Sequence, residues 1–259
     1  MTTIGLLTNR YLTESKRDTL IPILNDDNFL IKVAVIDIRP QLSLKEKVKK
    51  NIKRGRGGYI IILALKKIFS KKKQTFTTIE FCRKNNINTI EVTNPYSNQN
   101  IEQIKELNLD LLILIGGFGI IKKKILEIPL IGVLSFHHGD MRKYRGMPPG
   151  FWELYFNEKE MGITVQLLSE GLDCGIPIVE KKIQISNNSS LNKLQEQASK
   201  ESRDMLYNAL LKLSEKDFEF TTIEKFGKIY TLPNLNQWFA LNMKLIWRRF
   251  LNKFARKIS

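Results

Sequence analysis

The sequence predicts an α/β fold, a doubly wound and mostly parallel sheet followed by a small, mainly helical C-terminal extension. Three observations predict it. Short β-branched apolar runs alternate with helix-periodic stretches through the first half of the chain. After Gly162 two strand-like runs follow each other directly, and from Leu191 the apolar spacing becomes helical. A chain of 259 residues has room for one large domain and an appendage. The expected division is residues 1–186 for the core, with a basic insertion at about 43–73, and residues 187–259 for the extension.

Ile4 to Thr8 and Leu30 to Ile36 open the sheet, with Arg17 to Leu24 helical between them. Met1 to Thr8 lacks the basic start and small-residue cleavage site of a secretion signal, so it reads as a first strand and the expected location is the cytoplasm. Ser43 to Lys73 interrupts the pattern with two basic helical pieces around Gly55-Arg56-Gly57-Gly58. That glycine spacing fits neither a P-loop nor a dinucleotide fingerprint, and a hinge or helix cap is expected instead. Thr89 to Thr93 and Leu111 to Ile115 are further strands, separated by a helix over Asn100 to Leu107. A short helix over Ile121 to Leu126 leads to a strand over Leu130 to Ser135. Strands over Ile163 to Leu168 and Ile178 to Ile185 come next, then one long helix from Leu191 to Leu213.

The tail from Leu241 to Ile258 sets Leu245, Ile246, Phe250, Leu251 and Phe254 against Lys244, Arg248, Arg249, Lys253, Arg256 and Lys257. Such a helix can dock on its own domain, form the face of a homodimer, or lie on an anionic membrane. The last reading would place the protein peripherally at the inner membrane. The apolar runs Ile60 to Leu65 and Leu111 to Ile121 fall well short of the ~20 residues that a membrane-spanning helix requires. The net charge of +16 is concentrated: Lys45 to Lys73 supplies +11 of it, and no acid follows Glu224. A solvated basic face and an anion-binding surface both fit this distribution. Cys82 and Cys174, the only cysteines, have no disulfide or metal-ligand spacing, which points to a reducing compartment and to no metal.

His137 and His138 are the only histidines. In extended chain Ser135 and His137 share one face and His138 takes the other, so strand parity selects His137 as the partner of Ser135. A long Gly- and Pro-rich segment then runs from Gly139 to a helix beginning near Phe151, and loops of such length are often functional. Glu170-Gly171-Leu172-Asp173-Cys174-Gly175 is a second special turn.

Ser135-Phe136-His137, Lys143-Tyr144-Arg145-Gly146, Pro148, Trp152, Gly162-Ile163-Thr164 and Gly171-Leu172-Asp173-Cys174-Gly175 follow in an order and spacing that resemble the formyltransferase domain using 10-formyltetrahydrofolate. The resemblance covers Leu130 to Glu180, and Asp110 to Gly119 is similar to the strand and loop against which that family's pterin rests. It implies that His137 and Asp173 are catalytic, with Ser135 where the family has asparagine. It further implies that Gly117, Phe118, Gly119, Gly162, Thr164 and Asp173 meet the folate. His138, Arg142, Lys143, Tyr144, Arg145 and Trp152 are then expected on the acceptor substrate. The chemistry fits: an amine attacks the formyl carbon, charge builds on the formyl oxygen, and a donor or imidazolium near it lowers the barrier. The acceptor expected from this resemblance is a dTDP- or UDP-linked 4-amino-4,6-dideoxyhexose for surface-glycan (O-antigen) synthesis, with no stably bound nucleic acid. The alternatives are a methionyl-tRNA formyltransferase-like enzyme, whose usual C-terminal barrel the helical tail does not resemble, and a non-catalytic basic module that binds RNA or a membrane surface.

Overall fold

The computed structural model describes the backbone of residues 1–40, 42–53 and 75–258, and the side chains of these except residue 44 and residues 253–258. The elements run β1 (Thr2–Asn9), β2 (Tyr11–Thr13), α1 (Glu14–Leu24), β3 (Phe29–Asp37), α2 (Leu44–Lys53), β4 (Thr75–Thr77), α3 (Thr78–Lys84), β5 (Asn88–Val92), α4 (Asn98–Lys105) and β6 (Leu111–Leu114). They continue as α5 (Lys123–Leu126), β7 (Gly132–His137), β8 (Tyr144–Gly146), α6 (Phe151–Tyr155), β9 (Glu160–Leu167), β10 (Ile176–Gln184), α7 (Leu191–Glu201), α8 (Met205–Leu213), β11 (Lys228–Tyr230) and α9 (Leu235–Ile258).

Seven strands form one sheet in the order β10-β9-β7-β6-β1-β3-β5. The pairs from β7 through β5 are parallel, whereas β9 and β10 are antiparallel. The doubly wound, mostly parallel prediction therefore holds, and the chain reverses direction across the sheet between β1 and β6. In open α/β sheets the crevice at such a reversal, beyond the carboxyl ends of the strands, is where ligands bind.

Alternation sorts the strands onto two cores. Ile4 and Leu6 face one cluster with Leu20 and Ile23 of α1 and Met205, Leu206, Ala209 and Leu210 of α8. Leu7 faces the other cluster with Ile101 and Ile104 of α4. Along β3 the register to β1 slips between Ile4 and Gly5, leaving Lys32 unmatched. One extra residue inverts parity, which is why Ile31 and Ala34 share one cluster while Val33 and Val35 share the other.

Two elements differ from expectation. The predicted helix Leu191 to Leu213 breaks into α7 and α8, because Ser202 turns its hydroxyl onto the Ser199 carbonyl (3.1 Å) and Arg203 reaches Asp18 of α1 (3.3 Å). The strand predicted over Leu130 to Ser135 starts and ends two residues later, with Leu130 at the surface. The glycine cluster Gly55 to Gly58, the apolar run Ile60 to Leu65 and the second basic helix lie outside the described residues. Among the described residues no helix is long and apolar enough to cross a membrane.

Candidate functional site

β7 carries Ser135 and His137 to the crevice. Its pairing with β6 on one side and β9 on the other fixes both side chains, Ser135 opposite Gln166 and His137 opposite Thr164. Val133 faces one core and Leu134 the other, so the parity that joins Ser135 to His137 is present in the fold. His137 is the last residue of the strand rather than lying beyond its end.

Asp173 reaches His137 from the turn between β9 and β10, where its backbone is left-handed (φ 47°), a conformation aspartate tolerates better than most residues. His137 Nδ1 lies 3.3 Å from Asp173 Oδ1, and Asp173 Oδ2 accepts the Gly146 N–H at 2.7 Å. The other ring nitrogen, Nε2, is 2.8 Å from the Tyr144 carbonyl oxygen. A carbonyl only accepts, so Nε2 is protonated, and Nδ1 faces a carboxylate, so the ring is satisfied on both sides only as imidazolium. Burial opposes that charge. Asp173, the Tyr144 carbonyl and Glu153 outweigh burial and raise the His137 pKa. Burial likewise disfavours the Asp173 carboxylate, and His137, the Gly146 amide and Arg145 hold its pKa below the usual range. A side chain at position 139 would break this arrangement: a Cβ on Gly139 would sit 2.6 Å from His137 Nε2 and 2.9 Å from the Tyr144 oxygen.

The segment expected as one long loop contains β8, which pairs parallel with β11 from the C-terminal extension. Gly146 is obligatory there. Its φ is +92°, and a Cβ would stand 2.1 Å from the Tyr230 carbonyl oxygen. Trp152 is buried beside this pair, its indole N–H shared between the Met147 and Thr231 carbonyls.

A cavity of about 750 Å³ opens at the reversal point, lined by Ser135, Phe136, His138, Gly116, Gly117 and residues of α1, α7 and the α7–α8 turn. Ser135 lines this cavity and shares a strand face with His137, and its hydroxyl makes one long hydrogen bond among the described residues, 3.5 Å to the Phe136 carbonyl, whereas His137 and Asp173 do not themselves line the cavity. His138 borders the same cavity. Burial and the neighbouring His137 charge push its pKa down to about 4, so it is neutral, and its Nε2 is buried with no partner among the described residues. Lys16 projects over Gly116 into the cavity with no ion pair or hydrogen bond among the described residues, and burial lowers its pKa.

Other residues singled out in the sequence fall elsewhere. Phe118 is buried in the second core, its N–H donating to Asp37 Oδ2 at 3.2 Å, and Gly119 follows it at the surface. Thr164 donates to the Gly139 carbonyl (3.4 Å), and Gly162 lies against Asp140. The basic trio expected on the substrate is engaged with the protein: Arg142 with Glu180 and Asp140, Lys143 with Glu158, and Arg145 with the Gly227 carbonyl. None of the three lines the cavity at Ser135.

Sequence reasoning missed Lys16 and Glu153. Lys16 looks like any basic residue of an amphipathic helix, and only the cavity distinguishes it. Glu153, a lone acid among Phe151, Trp152, Leu154 and Tyr155, carried a visible signal. It is buried, and desolvation raises its pKa to about 7 although the His137 charge opposes the shift.

The sequence model of the formyl transferase family matches residues 32–210. A methionyl-tRNA formyltransferase of Prochlorococcus marinus is 32% identical over 211 residues, covering 80% of this chain and 60% of its own length. The chain spans 60%, 49% and 37% of the first three curated relatives it matches. Among solved structures, a sugar N-formyltransferase from Shewanella superposes with TM-score 0.60 at 12% identity, covering 95% of this chain and 88% of the other. An N-formyltransferase from Helicobacter canadensis, in complex with folinic acid and dTDP-3-aminofucose, superposes with TM-score 0.58 at 13% identity over 89% and 71% of the two chains. Identities this low speak for the fold alone.

Proposed function

The chain belongs to the formyl transferase family, and on that premise we propose that it transfers a formyl group from 10-formyltetrahydrofolate to the amino group of a nucleotide-linked amino-deoxy sugar. The catalytic unit in this reading is residues 1–186, and from the extension α7, α8 and the start of α9 pack on it while β11 pairs with the segment after His137. The observation that carries the reading is a buried histidine–aspartate ion pair at the end of β7, two residues along the strand from Ser135, which lines a cavity at the sheet's reversal point.

The cavity fits a reduced pterin: Leu114, Ile115 and Phe136 supply apolar wall, and the orphaned His138 Nε2 supplies a hydrogen-bonding edge. The folate brings a formyl group already activated for transfer. His137 holds a fixed positive charge behind Ser135, where negative charge grows on the formyl oxygen as the amine attacks. Its Nε2–H is held by the Tyr144 carbonyl, so direct donation to that oxygen requires exchanging this bond, whereas the Ser135 hydroxyl is available without exchange. Asp173 keeps the imidazolium charged and accepts, directly or through water, the proton that the amine sheds, and that proton is returned to the folate nitrogen as its bond to the formyl carbon breaks. Lys16 is placed to meet the diphosphate of the acceptor, a role that Arg142, Lys143 and Arg145, already partnered, do not fill.

In the Helicobacter neighbour the same fold holds a dTDP-amino sugar, which makes such an acceptor compatible with this architecture. The curated sequence relatives favour methionyl-tRNA as a second reading. Incubating the full chain with 10-formyltetrahydrofolate and a panel of dTDP- and UDP-linked 4-amino sugars, followed by mass spectrometry, separates the two. A formylated sugar nucleotide is the expected product. Turnover with charged initiator tRNA and with no amino sugar would overturn the choice of acceptor.

A further inference from the structure

We infer that the outward face of α9 is a docking surface for an anionic lipid bilayer. One side of this helix is anchored to the protein. Leu241 and Leu245 are buried in the main core, and Lys244 Nζ donates to the Tyr155 carbonyl at 2.8 Å. Away from that side Phe239, Met243, Ile246 and Trp247 are 58–62% exposed, at the i, i+4, i+7, i+8 spacing of a single stripe. Phe250, stacked on Trp247 with ring centres 5.9 Å apart, and Leu251 continue the stripe. Contiguous exposed apolar surface of this kind marks an interface.

The charge around the stripe identifies the occupant. Residues 235–258 contain six Lys or Arg and neither Asp nor Glu. At 100° per residue Arg248 borders the stripe on one side, beyond the anchored Lys244, and Arg249 on the other. An apolar, aromatic face edged by cations suits the boundary between acyl chains and anionic headgroups, with the rings in the interface and the cations on phosphate. A second copy of the chain fits less well. A two-fold contact through this stripe would set the cations of one helix beside the same cations of the other. The helix lies on the bilayer rather than through it, since it is not apolar enough to cross one.

The test is cosedimentation of the full chain with phosphatidylcholine vesicles, with and without phosphatidylglycerol. The expected result is binding only when phosphatidylglycerol is present, weakening as salt is raised. Arg248→Gln with Arg249→Gln should weaken that binding roughly tenfold or more. Phe239→Ser with Trp247→Ser should abolish it, with circular dichroism and formyl transfer unchanged. Absence of binding to the phosphatidylglycerol vesicles, or equal binding to both vesicle types, overturns the proposal. So does a lipid-free dimer, seen by sedimentation equilibrium, that Trp247→Ser converts to monomer.

Discussion

His137 at the end of β7 and Asp173 in the β9–β10 turn, 36 residues apart in sequence, meet with Nδ1 3.3 Å from Oδ1, and the Tyr144 carbonyl takes the remaining ring nitrogen. The histidine thus sits between two acceptors in a largely buried place. Its protonation state follows from that geometry, and several measurements follow from its protonation state.

The His137 ring should titrate above 6.5 in an NMR pH series, and Asp173→Asn should bring the midpoint down. Because its folded pKa is raised, the His137 contribution to stability is fully present below the unfolded value and is lost as pH rises through the folded one. Asp173 behaves oppositely: its contribution is present above about 3.9 and is lost as pH falls through its depressed folded pKa. The pair therefore stabilises most in the window between. Asp173→Asn should also lower kcat by about 10²–10³, the usual cost of losing a preorganised electrostatic group. An unchanged histidine titration in that variant would contradict the ion pair.

Gly139→Ala inserts a methyl group between His137 Nε2 and the Tyr144 oxygen. The expected cost is about 1–3 kcal/mol, combining overpacking with a lost buried hydrogen bond. Denaturant unfolding measures it, and the His137 midpoint should fall in the same protein.

Glu153 makes its own pH signature. An acid whose pKa rises from 4.5 to about 7 on folding binds its proton more tightly in the folded state, so stability declines as pH climbs between these values. Glu153→Gln removes the decline and should gain about 3 kcal/mol at pH 8 over the parent. Unfolding curves at pH 5 and pH 8 give the comparison. Equal differences at the two pH values would show that Glu153 is not held neutral by burial.

Lys16→Met should raise the KM for the nucleotide sugar about tenfold or more, with a much smaller change in kcat, because a charge-assisted bond to a remote phosphate contributes to binding rather than to the chemical step. The His138 ring stacks on Phe136 with centroids 6.0 Å apart, and His138→Phe, which keeps a ring there, should instead raise the KM for the folate. Steady-state kinetics with each substrate varied in turn tells the two apart, and a kcat-only effect of Lys16→Met would remove it from the binding role.

Much of the fold is local in origin and therefore readable. The β-branched runs of β1, β3, β6 and β9 announce themselves, and period-2 alternation along β7 already puts Ser135 and His137 on one face. What could not be read depends on distant partners. The break between α7 and α8 arises from Ser202 and Arg203 answering to a carbonyl and to α1, with no Gly or Pro to mark it. β8 exists because a segment more than eighty residues later pairs with it. Arg142, Lys143 and Arg145 looked available for substrate because their own partners, Glu180, Glu158 and the Gly227 carbonyl, lie far along the chain. Lys16 was overlooked for the converse reason, since its having no ion pair among the described residues is a property of the cavity.

The pairing of β8 with β11 also sets an order of assembly. Tyr144 and Gly146, the residues whose backbone holds His137 and Asp173, are themselves held by Lys228 to Tyr230. On a ribosome, the sheet through β10 can form while Lys228 to Tyr230 are still in the exit tunnel, leaving the histidine with no backing strand. The centre is thus finished only after β11 has emerged, through a contact of long sequence separation that is slow to close. Chains interrupted before β11 should fold much of the sheet and lack an ordered site, so truncated products would be inert rather than partly active.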